Sequence, residues 1–146
     1  MAGASSLIEI DYDDADVRAA LKKLLAKLGS LEPVFRDIGE SLLISHRERF
    51  DRAVSPDGVS WPDLSPAYQQ RKRRNRDKIL VLDGWLRQLN YAASGTELRI
   101  GTDRVYGATH QFGDPSRHIP ARPFLGLDDA ERNELLDALA DWLADL

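Results

Sequence analysis

Asp128-Asp129-Ala130-Glu131-Arg132-Asn133-Glu134-Leu135-Leu136-Asp137-Ala138-Leu139-Ala140-Asp141-Trp142-Leu143-Ala144-Asp145-Leu146 is the stretch from which the fold is read. Asp128 stands as an N-cap with Glu131 three residues on, which is capping-box spacing. Leu135, Leu136, Leu139, Trp142, Leu143 and Leu146 then recur on one helical face. A helix with one apolar face must bury it against another layer. Two upstream segments share the period. Val17, Leu21, Leu24, Leu25 and Leu28, with Asp13 or Asp14 as N-cap and Gly29 as stop, predict a first helix with Lys22, Lys23 and Lys27 on its polar face. Leu31-Glu32-Pro33 opens a second helix that runs to about Arg52 along Val34, Phe35, Ile38, Leu42 and Phe50, with His46 on the same stripe.

The remaining segments read differently. Leu7-Ile8-Glu9-Ile10-Asp11 has the partial alternation of a short opening strand. Val54 to Pro62 is turn chemistry around Pro56-Asp57-Gly58, anchored by Trp61. Ser65-Pro66 predicts the start of a third helix carrying Tyr68 and the basic octet Arg71 to Lys78, ahead of the apolar run Ile79-Leu80-Val81-Leu82. Beyond Asp83-Gly84 the period changes, and a hairpin turning at Ser94-Gly95 is expected, with Leu98-Arg99-Ile100-Gly101 as its return strand. A short helix or turn from Val105 to Phe112 stops at Gly113, and an exposed, proline-rich loop follows from Asp114 to Pro123. The expected architecture is α+β: one domain over residues 1–146, with a small antiparallel sheet packed against three or more amphipathic helices and closed by a C-terminal helix.

Composition narrows the chemistry. A chain of 146 residues is long enough for one core without disulfide or metal support, and it contains no cysteine, which removes thiol nucleophiles, thiolate zinc sites and iron–sulfur clusters. No segment approaches the roughly 20 apolar residues of a membrane span, and the first residues lack the basic and apolar regions of a signal peptide, so neither secretion by that route nor membrane insertion is expected. The three histidines and the carboxylates form no catalytic set. His46 reads as a packed core residue and makes no His-Glu-x-x-His pattern with Glu40 or Glu48. His110, Asp114 and His118 are near in sequence, but no spacing rule selects them as metal ligands. There is no Gly-x-Ser-x-Gly elbow and no phosphate-cradling glycine pattern; no cofactor is expected.

Charge is distributed unevenly. An octet of net +5 (Arg71, Lys72, Arg73, Arg74, Arg76 and Lys78 against Asp77) in a chain of net −4 leaves −9 elsewhere. The octet offers non-specific contact with DNA through counterion release, or contact with an acidic partner, or simply a solvated face. It has none of the interleaved aromatics that stack single-stranded bases. The C-terminal segment from Asp128 carries seven acidic residues and one arginine, so head-to-tail contact between copies is electrostatically reasonable. Trp61, Trp85 and Trp142 read as core residues or packing anchors, Trp61 alternatively as an interface hot spot.

The motifs, taken in order, resemble a known family. They are Ser55-Pro56-Asp57-Gly58-Val59-Ser60-Trp61-Pro62, Leu80-Val81-Leu82-Asp83-Gly84-Trp85-Leu86, Tyr106-Gly107-Ala108-Thr109-His110-Gln111-Phe112-Gly113 and Ile119-Pro120-Ala121-Arg122-Pro123-Phe124-Leu125-Gly126. Over nearly its whole length the chain resembles the phage virion morphogenesis family of tail-completion and Mu-like proteins; Asp83 and Gly107 depart from the residues common at those positions. The resemblance implies a non-enzymatic structural subunit of a tailed phage or prophage, assembled in the bacterial host cytoplasm into the virion tail or neck. It implies a ring of identical copies that finishes the tail or joins it to the head, with tail-tube or neck proteins as partners and passing DNA as a possible contact. The alternative is a DNA-binding or packaging accessory acting through residues 71–78. Trp61, Tyr106, His110, Gln111, Phe112, Arg122 and Phe124 are the candidate interface residues, with Arg122 expected to project from its loop.

Overall fold

The computed structural model describes residues 12–75, 78–81, 86–104 and 106–146. The expected strand over residues 7–11, Arg76, the stretch from Leu82 to Trp85 and Val105 lie outside the described residues. In chain order the elements are α1 (Ala15–Leu28), α2 (Glu32–Arg52), α3 (Pro66–Arg71), β1 (Asn90–Ala93), β2 (Leu98–Gly101), α4 (Gly107–Phe112), a 3₁₀ turn (Pro115–Arg117) and α5 (Asp129–Ala144). The α+β class is as expected. No helix among the described residues is long and apolar enough to cross a membrane.

The helix ends follow from their local chemistry. Asp14 accepts hydrogen bonds from the N–H groups of Asp16 and Val17 and so caps α1, while Gly29 closes it in the left-handed conformation at φ 78°. Asp14 also binds the guanidinium of Arg132, which ties the start of α1 to α5 and holds the Asp14 carboxyl down to about 2. α2 has no side-chain cap; Pro33 sits in its first turn, where a missing N–H costs nothing, and the Leu31 N–H bonds to the Gly95 carbonyl at the hairpin tip. β1 and β2 pair antiparallel, Asn90 with Gly101 through Ala93 with Leu98, around the expected turn. α2 is the central element, with the hairpin and α5 both packed on it and α1 packed on α5. Gly39 is the position that lets the hairpin approach: a Cβ there would lie 2.6 Å from the Tyr91 ring, whose hydroxyl donates to Glu40 at 2.9 Å.

Two apolar clusters result. One gathers Val17, Leu24, Val34, Phe35, Ile38 and Leu139 where α1, α2 and α5 meet. The other gathers Phe50, Trp61, Val81, Leu89, Phe124 and Leu125 around the far end of α2. Each fully buried side chain of this kind contributes about 1.5–3 kcal/mol. A polar seam joins the two. Arg49, buried on the stripe of α2, donates through Nη1 to the carbonyls of Phe124 (2.8 Å) and Gly126 (3.1 Å), and through Nη2 to Glu131. Glu131 completes the predicted capping box with Asp128 and also receives the Ser45 hydroxyl and His46 Nδ1. His46 Nε2 accepts from the Gly126 N–H. Burial by itself would raise the Glu131 carboxyl; hydrogen bonds from His46, Ser45 and the Asp128 N–H outweigh it and hold the group at about 2.

The third helix departs from expectation. α3 has six residues instead of running through the basic octet. Ser65 caps it and Pro66 opens it as the sequence suggests, but at Lys72 the backbone turns extended (φ −65°, ψ 128°). The Lys72 ammonium is buried and donates to the carbonyls of Asn75 and Lys78. A solvated helix has no use for a buried amine, and this local closure prevails over helix propensity.

Three outcomes test this account. Glu131→Gln removes the closer of the two carboxylates that pair with buried Arg49, leaving only Asp128 at 3.5 Å, and should cost on the order of 3 kcal/mol in urea unfolding. A carboxyl lowered on folding stabilises fully above its unfolded value of about 4.3 and loses that contribution as pH falls through its folded value. The thermal midpoint should therefore drop as pH falls from about 4.5 toward about 2, and the drop should be shallower in Glu131→Gln; equal slopes would count against the seam. Gly39→Ala should destabilise by roughly 1–3 kcal/mol through overpacking against Tyr91, despite the roughly 1 kcal/mol that alanine adds to helix propensity.

Candidate assembly site

The Trp61 loop, α4 and the segment from Arg122 to Leu125, three of the segments quoted for the family resemblance, come together at the Phe50 end of α2. Trp61 is buried edge-on to Phe50 at 5.5 Å between ring centroids, and its Nε1 donates to the Pro123 carbonyl at 2.8 Å. The Pro-Asp-Gly turn brings it there: Gly58 takes φ 88°, the Ser55 N–H bonds to Val59, and the Trp61 N–H returns to Ala53 at the end of α2. Gln111, buried on α4, accepts from the N–H groups of both Phe124 and Leu125 and donates to the Leu125 carbonyl, replacing a strand partner for that extended segment. Arg122 turns inward and clamps the Trp61 loop, Nε to the Pro62 carbonyl (2.8 Å) and Nη2 to the Asp63 carbonyl (2.9 Å). One amide and one guanidinium thus hold three loops together.

Beside this knot opens a cleft of about 730 Å³ between α3 with its basic continuation and the segment from Tyr106 to Arg122. Its apolar wall includes Leu64, Leu80, Val81 and Ile119, and Tyr68 and Tyr106 stand at its edges. Its charges are Arg71, Lys72, Arg117 and Arg122 against the single carboxylate of Asp63. His110 sits in the floor. Its Nδ1 is buried with no hydrogen-bond partner, and its ring meets Tyr106 edge-on at 6.0 Å. Burial pushes the His110 imidazole down, and the charges of Arg122 and Arg117 push it further, as expected where the local potential is positive. Arg117 is held by Asp114 at 2.8 Å, and Asp114 also accepts from the N–H and hydroxyl of Ser116, which keeps its carboxyl below the usual range.

The residues named from sequence divide into two groups. Trp61, Gln111, Arg122 and Phe124 are buried and committed to bonds or packing within the chain; Arg122 does not project, because the two carbonyls of the Trp61 loop capture its guanidinium. Tyr106 and Phe112 are exposed, Phe112 at 59%, and His110 is half-buried in the cleft. Within the octet, Arg71, Arg73, Arg74 and Lys78 are exposed, whereas Lys72 is buried. The loop from Asp114 to Pro123 is exposed over much of its length, as expected, apart from its inward Arg122. Among the described residues no three His, Cys, Asp or Glu side chains group as ligands for a metal ion.

Sequence reading passed over Arg49, Ser45 and Glu131 as a unit. The signal was present: Arg49 falls three residues after His46 on the stripe Ile38, Leu42, His46, where a charged residue must find a buried partner. Arg117, a bare loop residue in sequence, was equally unmarked as part of a cleft.

The comparisons with known proteins agree with this architecture of motifs. The model of the phage virion morphogenesis family matches residues 12–144. The putative capsid assembly protein G of Escherichia phage Mu is 29% identical over 143 residues, covering 86% of this chain and 92% of that protein. The Mu-like prophage FluMu G protein 2 of Haemophilus influenzae is 24% identical over 142 residues, covering 93% and 96%. An uncharacterised protein of Methanocaldococcus jannaschii is 27% identical over 96 residues, covering 61% and 71%. No solved structure matches the chain. With a family match that spans all but the two ends, the chain belongs to the phage virion morphogenesis family.

Proposed function

We propose that this chain is a non-enzymatic subunit of a ring that completes the phage tail or joins it to the head. Membership of a virion morphogenesis family supports a structural or assembly role, and the phage Mu relative is described as a putative capsid assembly protein. The observation that carries the finer reading is the cleft and its rim. Its wall is apolar, its interior carries an excess of arginine, and exposed Phe112 and Tyr106 stand along the same segment. Aromatic residues and arginine around a concavity are the composition of protein interfaces, where a few such side chains supply most of the binding energy. A ring suits such a surface, because one modest contact repeated around a closed symmetry stabilises the whole assembly.

The second reading, a DNA contact, is favoured by one observation: Arg71, Arg73, Arg74 and Lys78 are exposed close together in sequence. Phosphate contacts of this kind lose affinity steeply as salt rises.

The two readings separate experimentally. Phe112→Ala with Tyr106→Ala should leave stability within roughly 0.5 kcal/mol per site, since both side chains are exposed, yet abolish incorporation into particles seen by electron microscopy after complementation of a phage lacking the gene. Normal particles from that variant would reject the interface reading. Replacement of Arg71, Arg73, Arg74 and Lys78 by glutamine should leave particle assembly intact if these residues serve only DNA. In that case it should abolish a salt-sensitive mobility shift with duplex DNA.

A further inference from the structure

We infer that the cleft between α3 and the Tyr106–Arg122 segment receives the acidic C-terminal end of α5 from a second copy of the chain, with Arg71 and Arg117 facing Asp141 and Asp145. This rests on the ring reading and names the two surfaces that would build it.

Four observations converge. Asp137, Asp141 and Asp145 recur every four residues, are exposed, and have no ion-pair partner among the described residues. They span about 12 Å along one helical face. The last turn of α5 holds no basic residue. Carboxylates spaced i, i+4 at the negative pole of a helix repel each other and the helix dipole, so this end carries an electrostatic cost that a cationic surface would remove. Leu146, half exposed beside Asp145, adds an apolar group. The cleft offers the complement: Arg71 exposed at the end of α3, Arg117 on its lining and itself paired with Asp114, the lining carboxylate of Asp63, and apolar positions such as Leu64 and Ile119.

The two surfaces lie at opposite ends of the molecule. Trp142 Nε1 donates to Asp37 near the start of α2 at 2.9 Å, which places the end of α5 there. The cleft adjoins the knot at Phe50, thirteen residues along the same helix and so about 20 Å away. A chain therefore does not fill its own cleft, and the contact is head-to-tail. Heterologous contacts of this kind close into rings when the rotation per copy permits it.

The experiment uses the full chain and charge exchange. Light scattering and electron microscopy should show rings for the natural sequence. Arg71→Glu with Arg117→Glu, and separately Asp141→Lys with Asp145→Lys, should each weaken association by on the order of a hundredfold while remaining folded by circular dichroism. All four substitutions in one chain should restore it, since the pairs are then reversed but matched. In the natural assembly His110 should titrate at higher pH than in the Asp141→Lys, Asp145→Lys variant, because carboxylates have entered its cleft. Rings of unchanged stability in both two-site variants, or failure of the four-site chain to reassemble, would overturn this contact and leave the ring reading standing. Loss of tail joining in the cleft variant alone would assign the cleft to another tail protein and overturn it too. A natural chain that stays monomeric and joins no tails removes the ring reading itself.

Discussion

A single buried guanidinium organises this domain. Arg49 lies in the interior with almost no contact with water, and the cost of taking its charge there is met by the Glu131 carboxylate, more distantly by Asp128, and by two main-chain carbonyls. Those partners lie on two adjoining parts of the chain. Glu131 starts α5, and the carbonyls of Phe124 and Gly126 belong to the segment that leads into it. The ion pair therefore fixes α5 against α2 and fixes the loop from Arg122 to Gly126 at the same time. Because an unpaired charge in that position is far costlier than a mispacked leucine, alternative seatings of the C-terminal helix are disfavoured by more than shape.

From that seam the rest of the far end follows. With Phe124 and Leu125 positioned, Gln111 can satisfy their N–H groups, which orients α4; with Arg122 positioned, its guanidinium captures the Trp61 loop. The short α4 and the six-residue α3 are too small to be stable alone. They persist because side chains from the knot satisfy their neighbours' backbones, and the cleft is the space left between them. Of the residues in the family motifs, Trp61, Gln111, Arg122 and Phe124 thus serve the interior, while Tyr106 and Phe112 remain exposed.

Electrostatics divides the molecule along α2. Near one end, the last turn of α5 holds no basic residue; near the other, arginines line a cleft whose histidine is pushed down by burial and further by their charges. An isolated domain gains nothing from such a separation, and copies arranged head to tail would bring the two ends together.

The sequence by itself determined the elements whose signal is local. α1, α2 and α5 were legible because apolar residues at helical spacing, Asp14, the Asp128–Glu131 box and Gly29 act within a few residues of one another, and the hairpin was legible because Ser94-Gly95 separates two short runs. The motif segments were legible too, together with the family they resemble. What only the tertiary structure decided are the interactions between residues far apart in the chain. Whether Arg122 projects or turns inward depends on carbonyls sixty residues away at Pro62 and Asp63. Whether Arg49 is tolerated on an apolar stripe depends on Glu131, eighty-two residues on. The end of α3 depends on a lysine finding carbonyls in a turn that propensity does not anticipate. Periodicity records which face of an element is apolar; it carries no information on which distant backbone group will satisfy a buried charge, and the site is built from those pairings.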